Sequence, residues 1–145
     1  AFGEGEVSKD YLALVHGVVW SERVIDVPLA RLHSRVRAAR RGERAWPART
    51  LVVPLERGAS WTLVRATMET GVTHQVRAHL AILGHPVIGD LKYGDGTSGR
   101  DPAGGQRLHA SCIRLPGGPT LAAAPGGRFL ETLAELRRET AVASC

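Results

Sequence analysis

The side chains best suited to chemistry are crowded into one stretch, Glu69-Thr70-Gly71-Val72-Thr73-His74-Gln75-Val76-Arg77-Ala78-His79-Leu80. His74 and Arg77 stand three residues apart, so on a helix they share a face. The plain reading of Arg77 is a surface helix arginine in a local ion pair. A metal centre is a poor reading: His74 and His79 are five apart and do not align on one helix face, and no carboxylate completes a ligand set. A second concentration lies between residues 31 and 49. Arg31, Arg35, Arg37, Arg40, Arg41, Arg44 and Arg49 face one acidic residue, Glu43. Arg37, Arg40 and Arg41 suit phosphate contacts, with Trp46 as a stacking residue. A solvated charged loop is the competing reading.

The whole composition points the same way. Nineteen Lys and Arg against 14 Asp and Glu give a net charge of +5 and a pI near 10.0, which favours a polyanionic partner. Hydrophobic residues make up 43% and charged residues 23% of 145, the profile of one globular domain. No apolar run approaches the roughly 18 residues of a membrane helix. Residues 1–6 carry acidic rather than basic side chains, so no export signal is read and a cytoplasmic protein is expected. Cys112 and Cys145 form no C-x-x-C pair and are expected as reduced thiols.

The elements that must position these groups are mostly strands. Val7 to Val19 reads as a strand or two short ones, bent at Gly17. Residues 21–30 read as an extended segment ended by Pro28. Thr50 to Leu55 and Trp61 to Met68, separated by Glu56-Arg57-Gly58-Ala59-Ser60, read as a hairpin. Val76, Leu80 and Leu83 recur at helical spacing, with Thr73 as expected N-cap, Gly84 as the C′ residue and Pro86 barring continuation. Gly94 to Gly105 is a glycine-rich surface loop, and Leu108 to Leu115 is another strand. Phe129, Leu130, Leu133 and Leu136 make the apolar stripe of a last helix, closed by Arg137-Arg138. Strands that do not alternate with helices imply an α+β fold.

The 69–80 stretch runs into Leu83-Gly84-His85-Pro86-Val87-Ile88-Gly89-Asp90 and Tyr93-Gly94. Together these resemble the signature of RluA-like pseudouridine synthases, T-G-R-x-H-Q-I-R-x-H-L…L-G-H-P-I-x-G-D…Y-G, with Val72 in place of its usual arginine. Lys9-Asp10-Tyr11-Leu12-Ala13-Leu14-Val15-His16-Gly17 is similar to the family's K-x-Y-x-A-x-V-x-G strand. Arg107-Leu108-His109-Ala110 is similar to a shortened R-L-x-L-H-A. The motifs keep their order over about residues 7–138. The resemblance implies a pseudouridine synthase fold, with a mixed, largely antiparallel sheet, flanking helices and loops, and a central cleft. It implies an RNA partner, ribosomal or transfer RNA, a monomeric complete enzyme, and a reaction without metal or cofactor. That reaction breaks the N1–C1′ bond of a flipped-out uridine, rotates the uracil and rejoins it through C5.

By the same resemblance Arg77 pairs with the family's reactive aspartate, and Tyr11 stacks on the uracil, its hydroxyl placed to help remove the C5 proton. His74 and Gln75 bind RNA phosphate or hold the motif loop. Asp90 matches a structural family position. The aspartate itself belongs to a segment R-L-D-x-x-T-S-G before the K-x-Y strand, and Asp10, Asp26, Asp90 and Asp101 all lack that context. Residues 1–145 are therefore read as the C-terminal portion of one synthase domain, without the part that carries the nucleophile. A relative that binds RNA without isomerising it is the alternative.

Overall fold

The computed structural model describes residues 8–33, 35–68, 71–72, 74–94, 106–114 and 120–143. Glu69, Thr70, Thr73, Asp101 and Cys145, and nearly all of the glycine-rich loop, lie outside them. The elements run β1 (Ser8–His16), β2 (Arg23–Asp26), β3 (Leu29–Leu32), β4 (Arg35–Ala38), β5 (Arg49–Arg57), β6 (Trp61–Met68), α1 (Gln75–Leu83), β7 (Leu108–Arg114), β8 (Thr120–Ala122) and α2 (Gly127–Ala143). Six strands form one sheet in the order β2-β5-β6-β1-β7-β8, and β3 with β4 makes a separate hairpin. Every ladder among the described residues is antiparallel, so the α+β class holds and the sheet is simpler than the mixed one expected.

β1 lies inside the sheet between β6 and β7 and is covered on both faces. Ala13, Leu14 and Val15 are consecutive and all fully buried. Successive side chains of a strand point to opposite faces, so an unbroken apolar run means two packed faces. On one face, Ala13 and Val15 meet Val64, Ala66 and Met68 of β6 and Val76 and Leu80 of α1, with Tyr11 and Leu83 at the margin. On the other, Leu14, Trp61 and Ile88 meet Phe129, Leu133 and Leu136 of α2. The expected helical stripes therefore each pack against one side of the same sheet, except that Leu130, expected in the α2 stripe, is exposed.

α2 runs past its expected end. Arg137 does not close it but reaches back to β5, where its Nε and Nη2 donate to Glu56 at 2.9 and 2.7 Å. One turn further on, Thr140 accepts the Trp61 indole N–H at 2.8 Å. The bend after β1 needs glycine: Gly17 has φ of +81°, and a Cβ there would stand 2.7 Å from Nδ1 of His85. Thr62 fixes that bend by donating to the Gly17 carbonyl and accepting the Val19 N–H, both at 2.9 Å.

The arginine-rich segment is neither a plain extended run nor a loop. Leu29–Leu32 pairs with Arg35–Ala38, and Trp46 bridges back to Leu29. Leu29, Val36 and Ala48 pack on Ala78 of α1, with Val72 and Tyr93 beside them. The hairpin thus sits on the flank of the helix that carries Arg77. No helix among the described residues is long and apolar enough to cross a membrane.

Candidate functional site

A cleft of about 260 Å³ opens where the N-terminal part of α1 meets β1 and β7. Tyr11, Met68, Val72, His74, Arg77 and Leu108 line it, with Gln75, Val76 and Gln106. Tyr11 comes from β1, while His74 and Arg77 come from the start of α1, one turn apart. The geometry therefore unites the strand tyrosine with the helix face carrying His74 and Arg77.

Arg77 is held by Asp90. Its Nε and Nη2 donate to the two carboxylate oxygens at 2.8 and 2.7 Å, a two-point pair. The Asp90 carboxylate is wholly buried and the Arg77 side chain is 13% exposed. One Asp90 oxygen also accepts the backbone N–H groups of Lys92 and Tyr93, at 3.0 and 3.1 Å. Burial pushes the Asp90 carboxyl up, but Arg77 and those two amides outweigh it and hold it below its ordinary range. The bond to Asp90 raises Arg77 further above its already high value. This engagement uses one edge of the guanidinium. Nη1 takes no part in this pair, and the Arg77 side chain also lines the cleft.

His74 rather than Thr73 is the N-cap of α1, and it caps without a side-chain bond to the helix. Its φ of 58° is left-handed, a conformation that costs a side-chain-bearing residue energy and that clusters at functional sites. The imidazole Nδ1 lies 2.9 Å from the Tyr93 hydroxyl. Burial, then the charges of Arg77 and Lys92, lower its pKa against the raising effect of Asp90. Gln75 is 1% exposed. Its amide donates to the Arg49 carbonyl and to Thr50 Oγ1, and its carbonyl accepts the Val72 N–H at 3.2 Å. Of the two roles open to it, holding the motif loop is the one this geometry displays.

Behind Gln75, Thr50 Oγ1 lies 2.8 Å from Nδ1 of His79, whose Nε2 lies 2.9 Å from the Val27 carbonyl. A carbonyl can only accept, so Nε2 carries a proton; burial of the ring favours its neutral form, in which Nδ1 accepts from Thr50. Burial lowers the His79 pKa. The unfolded chain then binds a proton that the folded one refuses. Stability from this group is complete above the unfolded value of about 6.5 and is lost as pH falls through the lower folded value. His74 acts in the same sense. We expect the urea midpoint to fall between about pH 7 and pH 5, and to fall less in His79→Gln. An identical slope in that variant would refute the assignment.

In the hairpin, Arg37 forms a two-point pair with Glu43 at 2.8 and 2.7 Å, and Glu43 also accepts the Arg40 N–H at 2.7 Å. Arg37 thus shapes the turn, whereas Arg40 and Arg41 are exposed. The Trp46 ring is not vacant: the guanidinium carbons of Arg44 and Arg31 lie 5.0 and 5.8 Å from its centroid. Sequence reasoning missed Tyr93 as a site component. Its ring lies 5.0 Å from the Arg77 guanidinium and 5.3 Å from that of Arg35.

Comparison with known proteins settles the family. The model of the RNA pseudouridylate synthase family matches residues 1–82, more than half of the chain. The chain belongs to that family. An uncharacterized RNA pseudouridine synthase of Helicobacter pylori is 35% identical over 127 residues, covering 86% of this chain and 50% of the relative. Ribosomal large subunit pseudouridine synthase D of Nitrosomonas europaea is 38% identical, over 76% of this chain and 30% of its own length. The chain thus spans half or less of these two relatives. Among solved structures, human RNA pseudouridylate synthase domain containing 1 superposes with a TM-score of 0.72 at 31% identity, over 88% of this chain and 58% of that one. Human domain containing 4 gives 0.73 at 26% identity, over 90% and 62%.

Proposed function

We propose that this chain forms the uridine-binding part of an RNA pseudouridine synthase, with ribosomal RNA as the first candidate substrate and transfer RNA as the second. The observation that carries the reading is the meeting of Tyr11 and Arg77, far apart in sequence, at one cleft. The family supplies the reaction class. The Nitrosomonas relative, a ribosomal large subunit pseudouridine synthase, supports ribosomal RNA.

A base turned out of its stack enters the cleft and meets an apolar wall of Met68, Val72 and Leu108. The Tyr11 ring offers a stacking face, and its hydroxyl a proton acceptor and donor near C5. Arg77, anchored on one side by Asp90, presents its other edge to the aspartate that acts at the sugar. That aspartate belongs to the family's R-L-D segment, a context that no aspartate of this sequence has. The overall change conserves atoms: the N1–C1′ bond breaks, a C5–C1′ bond forms, C5 loses a proton and N1 gains one.

The test is carbodiimide mapping of pseudouridine in ribosomal and transfer RNA from cells with and without the gene, with the purified full gene product added back. We expect one or a few uridines to convert only when the protein is present. RNA binding with no converted uridine in either RNA class would favour the alternative, a relative that binds without isomerising.

Exposed Arg40 and Arg41 are the hairpin's candidates for phosphate contact, with Arg37 in support through Glu43. Changing Arg40 and Arg41 to Glu should weaken RNA binding across sequences and lower the slope of log affinity against log salt by about 2, one for each lost phosphate contact. An unchanged slope would remove this surface from the interface.

A further inference from the structure

We propose that Tyr93 is a positioning residue that couples the arginine-rich hairpin β3–β4 to the guanidinium of Arg77. The proposal rests on the function proposed above for its kinetic consequence, but its structural core does not.

The Tyr93 side chain touches the hairpin, the start of α1 and the Arg77 guanidinium. Its hydroxyl accepts the Val36 N–H of β4 at 3.0 Å. The phenolic proton is then left for Nδ1 of His74, 2.9 Å away, at the left-handed residue that starts α1. The imidazole and phenol rings meet edge to face, with centroids 5.6 Å apart. The Tyr93 ring supports the Arg77 guanidinium at 5.0 Å, a cation–π contact sheltered from water. Its backbone N–H bonds Asp90, the carboxylate that grips Arg77. From the hairpin, Arg35 adds a second tie, donating to the Lys92 carbonyl at 2.6 Å while its guanidinium lies over the Tyr93 ring.

Two of these ties are directional and run through one oxygen. A shift of β4 relative to α1, as when RNA settles on the exposed arginines, cannot occur without moving the Tyr93 hydroxyl. The ring follows the hydroxyl, and Arg77 follows the ring. Docking on the hairpin and orientation of the guanidinium edge that faces the cleft are thereby linked. Such coupling needs no contact between Tyr93 and RNA, and it acts on turnover rather than on affinity.

The experiment compares wild type with Tyr93→Phe, which keeps the ring and deletes the hydroxyl, and Tyr93→Leu, which deletes both. The first readout is hydrogen exchange by NMR. In Tyr93→Phe the Val36 amide loses its acceptor and should exchange at least about tenfold faster. Coupling requires the Arg77 Nε–H to accelerate as well, by several-fold, and further in Tyr93→Leu. Acceleration at Val36 with none at Arg77 would overturn the proposal, as would no change at either group. The second readout is steady-state kinetics of the full gene product on its RNA. We expect kcat to fall about tenfold in Tyr93→Phe with KM within twofold, since small misplacement of a positioning group costs rate. An unchanged kcat, or a rise in KM alone, would also overturn it. If wild type makes no pseudouridine, the proposed function fails, and the exchange experiment still decides the coupling.

Discussion

Replacing Arg77 by alanine should lower kcat for uridine isomerisation by roughly 10²–10³-fold, the usual cost of removing one preorganised charged group from a reacting centre. The same change should cost about 3–5 kcal/mol of stability, because it strands the wholly buried Asp90 carboxylate with two backbone amides and no counter-charge. The two losses are separable. Arg77→Lys restores a positive charge but cannot grip both carboxylate oxygens while offering a second edge to the cleft. We therefore expect it to recover part of the stability and little of the turnover. Kinetics on the full gene product, with urea unfolding of each variant, make the check. Near wild-type kcat in Arg77→Lys would show that charge alone suffices and would remove the two-edge argument.

Asp90→Asn should destabilise the fold by about 3 kcal/mol, since Arg77 would keep its charge in a partly buried place without a carboxylate partner. The pH dependence identifies the cause. The Asp90 carboxyl titrates below its ordinary value when folded, so its stabilisation is complete above the unfolded value of about 3.9 and is lost as pH falls through the folded one. Wild type should lose stability along that acid limb, and Asp90→Asn should lack this component while sharing the histidine-driven loss above it. A variant within 1 kcal/mol of wild type at neutral pH would mean that water replaces the carboxylate without cost.

Much of this site was legible in the sequence, and the parts that were not share a physical reason. β6 falls on Trp61–Met68 as read, because the apolar run is punctuated at one end by Gly58-Ala59-Ser60. The stripe Val76, Leu80 and Leu83 gave α1 its inward face, since helix periodicity is a local signal. The β3–β4 hairpin is hidden because Arg31, Arg35 and Arg37 fill three of its eight strand positions and Leu32 is exposed, so no apolar alternation shows. Of its apolar residues only Leu29, Ala30 and Val36 are buried, too few to set a period. The end of α2 was misplaced for a related reason. Arg137 looks like a C-terminal charge, but its partner Glu56 lies 81 residues away. Thr73 reads as the N-cap of α1 because hydroxyls favour that position, whereas His74 takes it: its carbonyl accepts the Ala78 N–H while its side chain turns to Tyr93. Asp90 was read only as structural. That it clamps Arg77 follows from a turn that no spacing rule encodes.

The placement of β1 also sets a timetable for folding. β1 is buried on both faces and paired on both edges, yet its partners are made much later. Trp61 follows His16 by about 45 residues, and Leu108 follows it by about 90. At roughly 5–20 residues per second, the ribosome leaves this apolar strand without its first partner for roughly 2–9 seconds and without its second for roughly 5–20 seconds. Closing those long loops is also entropically slow. The element that presents Tyr11 to the cleft is therefore open for that time to chaperones, and to misassociation with other nascent chains, during synthesis.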